Sequence, residues 1–63
     1  MKVKEIIKLI ENEGWYLKRM KGSHRQFKHD IKTGLVTVAG HLSDDLAIKT
    51  QISILKQAGI KNV

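Results

Sequence analysis

Gly22, Ser23 and His24 stand in the most basic stretch of the chain. Between Lys18 and Lys32 there are six Lys or Arg residues, two histidines and one acid, Asp30. Histidine is the side chain suited to moving protons near neutral pH. Cationic neighbours concentrate polyanions around it. Together these meet the needs of a site that cuts RNA. The 2′-OH of RNA can itself attack the adjacent phosphate. The protein must then supply a base, an acid and cations for the charge that builds up in the transition state.

Within that scheme His24 is the candidate base or acid. Gly22 lets the backbone come close to a phosphate, and Ser23 can donate a hydrogen bond to it or simply satisfy the turn. Lys18, Lys21, Arg25 and Lys28 are candidate phosphate-binding cations. His41, after Gly40, is a candidate for the second proton transfer. His29 reads as a strand-end residue. Each of these has a plainer reading as an ordinary surface side chain. Ser23 lacks the surroundings of a nucleophile elbow, so a covalent serine mechanism is not expected. Asp44 and Asp45 are too few carboxylates for a Mg²⁺ site and read as loop or helix-capping residues. With no Cys and three scattered His, no metal or other cofactor is expected.

The elements that must carry these residues are legible from periodicity. Val3, Ile6, Ile7 and Ile10 mark one face of a helix from about Lys2 to Glu13. Gly14 ends it. Trp15–Met20, His24–His29 and Leu35–Ala39 read as strands, separated by turns at Lys21–Ser23 and Asp30–Thr33. A last helix ends at Ala58, before Gly59. Its start has two candidate caps, Ser43 and Thr50. The fold class is therefore α+β, in the order α-β-β-β-α. It is expected as a three-stranded antiparallel sheet with both helices on one face.

Strand parity predicts what the open face carries. Leu17 and Phe27 should both point into the core, and a three-residue turn pairs Leu17 with Phe27 and Met20 with His24. The next hairpin pairs Phe27 with Val36, Arg25 with Val38 and His24 with Ala39. The predicted core face is Trp15, Leu17, Phe27, Val36 and Val38, with Arg19 sharing the parity of Leu17. The predicted open face is Tyr16, Lys18, Met20, His24, Gln26, Lys28, Leu35 and Thr37. Trp15 reads as packing, and Tyr16 has the parity to stack on a base.

Length and composition bound the function classes. Sixty-three residues suit one small domain, residues 1–63, that buries about 60% of its unfolded surface. Hydrophobic content of 41% is enough for one core. No apolar run is long enough for a membrane span and no signal peptide is visible. The absence of Cys fits a cytoplasmic protein. A net charge of +6 favours nucleic acid, an acidic protein partner or an anionic membrane surface.

Several segments, in order, resemble the HicA family of mRNA interferase toxins. They are Gly14-Trp15-Tyr16-Leu17, then Arg19-Met20-Lys21 leading into Gly22-Ser23-His24, then Val36-Thr37-Val38 before His41, and the tail Thr50–Ile60. Where the family often has Pro before the strand-3 histidine and a Gly-Thr pair before the last helix, this chain has Ala39-Gly40 and Lys49-Thr50. The resemblance favours Thr50 as the cap of the last helix. It implies a fold like the double-stranded RNA-binding domain and endoribonuclease activity on mRNA, with His24 as the histidine needed for cleavage. It also implies a HicB-type antitoxin that masks the site, the toxin being a monomer when free and part of a hetero-oligomer when neutralised. The rival reading from the residues is a non-catalytic RNA-binding module that uses the same basic face.

Overall fold

The computed structural model describes residues 1–60, so the last three residues of the predicted domain lie outside the described residues. Helix α1 spans Val3–Asn12 and strand β1 Tyr16–Lys21. Strand β2 spans His24–Lys28, β3 Val36–Ala39 and helix α2 Ile48–Gln57. The three strands form one antiparallel sheet in the order β1-β2-β3. This is the α+β arrangement expected, with element ends shifted by at most one residue except at the start of α2.

The core explains the layering. Phe27, Val36 and Val38 alternate with exposed residues along β2 and β3 and are buried with Val3, Ile6 and Ile10 of α1. Ile54, Leu55 and Ala58 complete the same cluster from the α2 side. Both helices therefore cover one face of the sheet and leave the other to solvent. Burying several such side chains at about 1.5–3 kcal/mol each supplies most of the driving force in so small a chain.

Both helices end alike. The Gly14 N–H donates to the Glu11 carbonyl and the Trp15 N–H to that of Ile10. At α2 the Gly59 and Ile60 N–H groups donate to Lys56 and Leu55. These are Schellman caps, each with a glycine at positive φ (97° at Gly14) followed by an apolar residue that packs on the core. A Cβ on Gly14 would also sit 2.7 Å from Nε2 of His29.

Helix α2 starts at neither predicted cap. Its N-cap is Ala47, with no side-chain hydrogen bond. The reason lies in residues 42–46, which serve α1 instead. The Leu42 and Asp44 carbonyls accept from the Lys4 and Val3 N–H groups, and Leu46 N–H donates to the Met1 carbonyl. The first two contacts satisfy donors that the first turn of α1 would otherwise leave orphaned, and the third ties residue 46 to the chain just before it. They also hold residues 42–46 out of the helix.

The first hairpin also differs from the prediction. Leu17 does pair with Phe27, but Lys21, not Met20, pairs with His24, across a two-residue turn of Gly22 and Ser23. The extra residue is taken up by a bulge at Lys18, where the register shifts between Leu17 and Arg19. Beyond the bulge the alternation is reversed. Arg19 and Lys21 join the open face, and Met20 moves to the helix-facing side opposite Arg25. The helices make their main contacts with β3, so the far side of β1 projects past them. Leu17 remains 48% exposed and Met20 55% exposed. The predicted packing of Leu17 is thus corrected to a half-exposed position.

Candidate active site

The open face is organised in rows across the strands. One row is Lys21, His24 and Ala39, and the next is Arg19, Gln26 and Thr37. Tyr16 and Lys28 form a third, two-strand row toward the other end of β2. Directly opposed residues have Cβ atoms about 4.5–5.5 Å apart, and same-face rows are about 6.6 Å apart along a strand. The first two rows enclose a shallow concavity of about 460 Å³ lined by Arg19, Lys21, His24, Gln26 and Thr37. None of these is acidic. Its wall on β1 carries two cations, its floor on β2 an imidazole and an amide, and its wall on β3 a hydroxyl.

The turn that presents His24 is built from the residues beside it. Gly22 takes φ 59°, and nothing lies within 4 Å of where its Cβ would be. Its requirement for glycine is thus conformational: any other L-residue except Asn or Asp is strained there. The Ser23 carbonyl accepts from the Gly40 N–H at 3.2 Å. Arg25 Nη1 donates to the Gly40 carbonyl at 2.8 Å and to that of Ser23 at 3.4 Å. Arg25 therefore clasps the hairpin turn to the end of β3. Its guanidinium works on the helix-facing side, away from the concavity, and holds carbonyls rather than standing free for phosphate.

The other predicted site residues lie as follows. Lys21 and His24 face each other in the concavity. Lys18 is exposed at the bulge, and Lys28 is exposed opposite Tyr16. Neither lines the concavity. His41 lies beyond β3 in a tight turn, where its N–H donates to Asp44 Oδ2 at 3.0 Å and its carbonyl accepts from the Asp44 N–H. It too is outside the concavity. Asp45 pairs with the exposed Lys2 at 3.4 Å, a contact of small energetic weight. Gln26 and Thr37 hold the open-face positions predicted for them, although neither was a candidate site residue, and Arg19, predicted on the core side, joins them. For Arg19 a signal existed: unbroken alternation would have turned a guanidinium toward the core.

His29 is the contrasting histidine. Its Nδ1 accepts from the Ile31 and Lys32 N–H groups at 3.0 and 3.1 Å, which leaves Nε2 to donate to the Glu13 carbonyl at 2.9 Å. Its ring meets the buried Trp15 edge-on, with centroids 5.2 Å apart. Trp15 Nε1 and Lys32 Nζ both donate to the Ala58 carbonyl at 3.1 Å. His29 and Trp15 therefore join the ends of both helices to the sheet, and Trp15 acts in packing.

No helix among the described residues is long and apolar enough to cross a membrane. A search of curated proteins returned no match. A family model described as the HicA toxin of bacterial toxin–antitoxin systems matches residues 3–60. That span holds every element of the fold and every residue of the concavity, and on it the chain belongs to the HicA toxin family.

Proposed function

We propose that this toxin is an endoribonuclease that cleaves mRNA at the concavity, with His24 as the proton-transfer group and a HicB-type antitoxin as its neutralising partner. The observation that carries the reading is the juxtaposition of His24 with Lys21 and Arg19 on the face left free by both helices. Substrate reaches that face without any rearrangement of the fold.

The chemistry follows from what RNA brings. The 2′-oxygen attacks the adjacent phosphorus as His24, acting as base, takes the 2′-OH proton. The P–O5′ bond breaks, and the leaving oxygen takes a proton from a second donor, giving a cyclic phosphate and a free 5′-OH. His41 is a candidate second donor and water the alternative. The pentacoordinate transition state gathers negative charge on its non-bridging oxygens. Lys21, directly opposite His24, and Arg19, one row away, are placed to stabilise it. Lys18 and Lys28, together with the exposed Gly22 and the half-buried Ser23 beside it, extend the phosphate-attracting surface on either side. Arg25 is assigned to holding the turn.

An acidic antitoxin surface would complement the same cations and compete with RNA for them. Binding by such a partner would also add stability to a small domain by mass action.

One observation favours the rival reading of a non-catalytic RNA-binding face. The His24 ring has no hydrogen-bond partner among the described residues, so nothing orients it as the base of a catalytic triad is oriented. Incubating the purified protein with RNA in EDTA separates the two. Cleavage that disappears in His24→Ala supports the nuclease; RNA left intact by the wild type at high protein concentration supports the module.

A further inference from the structure

We infer that the concavity contains a nucleobase subsite, formed by Gln26 and Thr37, that gives the site a sequence preference. The inference rests on the proposed RNA-binding face and names which part of a nucleotide each wall holds.

The argument starts from the polarity of the two rows. Both begin with a cation on β1, Lys21 or Arg19, and end on β3 with an uncharged residue, Ala39 or Thr37. Strands are about 4.8 Å apart, so each row runs about 10 Å from cation to neutral end. A phosphodiester backbone is drawn to the β1 side by charge. A base attached to it is directed across β2 toward β3, where no charge competes for its edge. His24 lies in one row and Gln26 in the next, about 6.6 Å further along β2. A nucleotide whose ribose reaches His24 has its base within reach of Gln26.

The chemistry of the second row suits that role. Gln26 is half-buried in the middle strand, flanked by Arg19 and Thr37, and its carboxamide makes no hydrogen bond to the described residues. Its amide offers a donor and an acceptor side by side, the pattern with which amide side chains read base edges. The Thr37 hydroxyl adds a donor or acceptor from the neighbouring strand. No Phe, Tyr or Trp lines the concavity, and its one ring is the imidazole of His24. With His24 turned to the ribose in this pose, discrimination of the base falls to the polar groups of the second row. Ala39, beside His24, leaves the first row open for the ribose.

The test separates base reading from cleavage. Deoxyribonucleotide hexamers lack the 2′-OH and cannot be cut by this route. Their affinity for the full chain is measured by fluorescence anisotropy at low salt, using oligo-deoxyadenylate, oligo-deoxycytidylate and oligo-thymidylate. The wild type is expected to show at least about a threefold spread in Kd among the three, consistent with one base-edge hydrogen bond. Gln26→Ala should collapse that spread, and the near-isosteric Thr37→Val should narrow it. Arg19→Gln should weaken all three alike. Circular dichroism melts confirm that each variant is folded. Equal affinities for the wild type, or a full spread retained in Gln26→Ala, would overturn the subsite. Cleavage of an oligoribonucleotide is scored separately. Cleavage without base preference refutes the subsite and leaves the nuclease, whereas base preference without cleavage refutes the nuclease and leaves the subsite.

Discussion

His29 and His24 sit five residues apart, at opposite ends of β2, in opposite circumstances. Around His29 both ring nitrogens are committed, the ring edge meets Trp15, and Gly14 is packed against it. Around His24 the ring is exposed, unbonded among the described residues, and faced by cations from the neighbouring strand. One region spends its polar groups on holding helix ends to the sheet. The other leaves them available. Residue type alone does not distinguish these two histidines; what differs is whether the fold has already used their nitrogens.

Substitutions can break this contrast at either end. The largest effect is expected from His24→Ala, which should slow RNA cleavage by about 10²–10⁴-fold while leaving the melting temperature near that of the wild type. Single-turnover cleavage with a parallel melt checks both halves. A large loss of stability in that variant would mean that the open face is structural after all.

Trp15→Ala attacks the other region. Removing a buried tryptophan costs about 3–5 kcal/mol, against a total of about 3–9 kcal/mol for a domain of this length. The variant should be largely unfolded at 37 °C by circular dichroism. His29→Ala is milder, because water can reach much of what it bonds. A loss of about 1–2 kcal/mol is expected, lowering the melting temperature by roughly 4–8 °C per kcal/mol. Cleavage per folded molecule should be unchanged, and a matching loss of activity would move His29 into the chemistry.

The smallest effect sharpens the electrostatic half of the comparison. Arg19→Gln should weaken single-stranded RNA binding a few-fold and flatten the slope of log affinity against log salt by about 0.7. Arg25→Gln should leave that slope unchanged, since its guanidinium already holds the Ser23 and Gly40 carbonyls.

What the sequence could disclose depended on how local the cause was. The buried face of α1 was legible because Val3, Ile6 and Ile10 repeat at helical spacing. Both helix ends were legible from Gly14 and Gly59. The pairing of β2 with β3 was legible from Phe27, Val36 and Val38, the residues that become buried. The start of α2 was not, because it is set by α1, some forty residues earlier, drawing on the Leu42 and Asp44 carbonyls. No pattern near Ser43 or Thr50 encodes that. For the site, His24 and Lys21 were found because charge and turn chemistry single them out. Gln26 was legible as an open-face residue of the same strand, two residues from His24, but Arg19 was missed because its place beside them depends on a shift of one residue in pairing.

That shift carries a consequence for the length of the chain. Lys18 is one residue more than the ladder between Leu17 and Arg19 requires. Deleting it would leave Leu17 opposite Phe27 and Arg19 opposite Gln26, so that a five-residue β1 reaches the same two faces. An insertion or deletion in a strand ordinarily turns every later side chain over. At this point the pairing register is the same with or without that residue, and Arg19 and Lys21 keep their station beside His24 in either length.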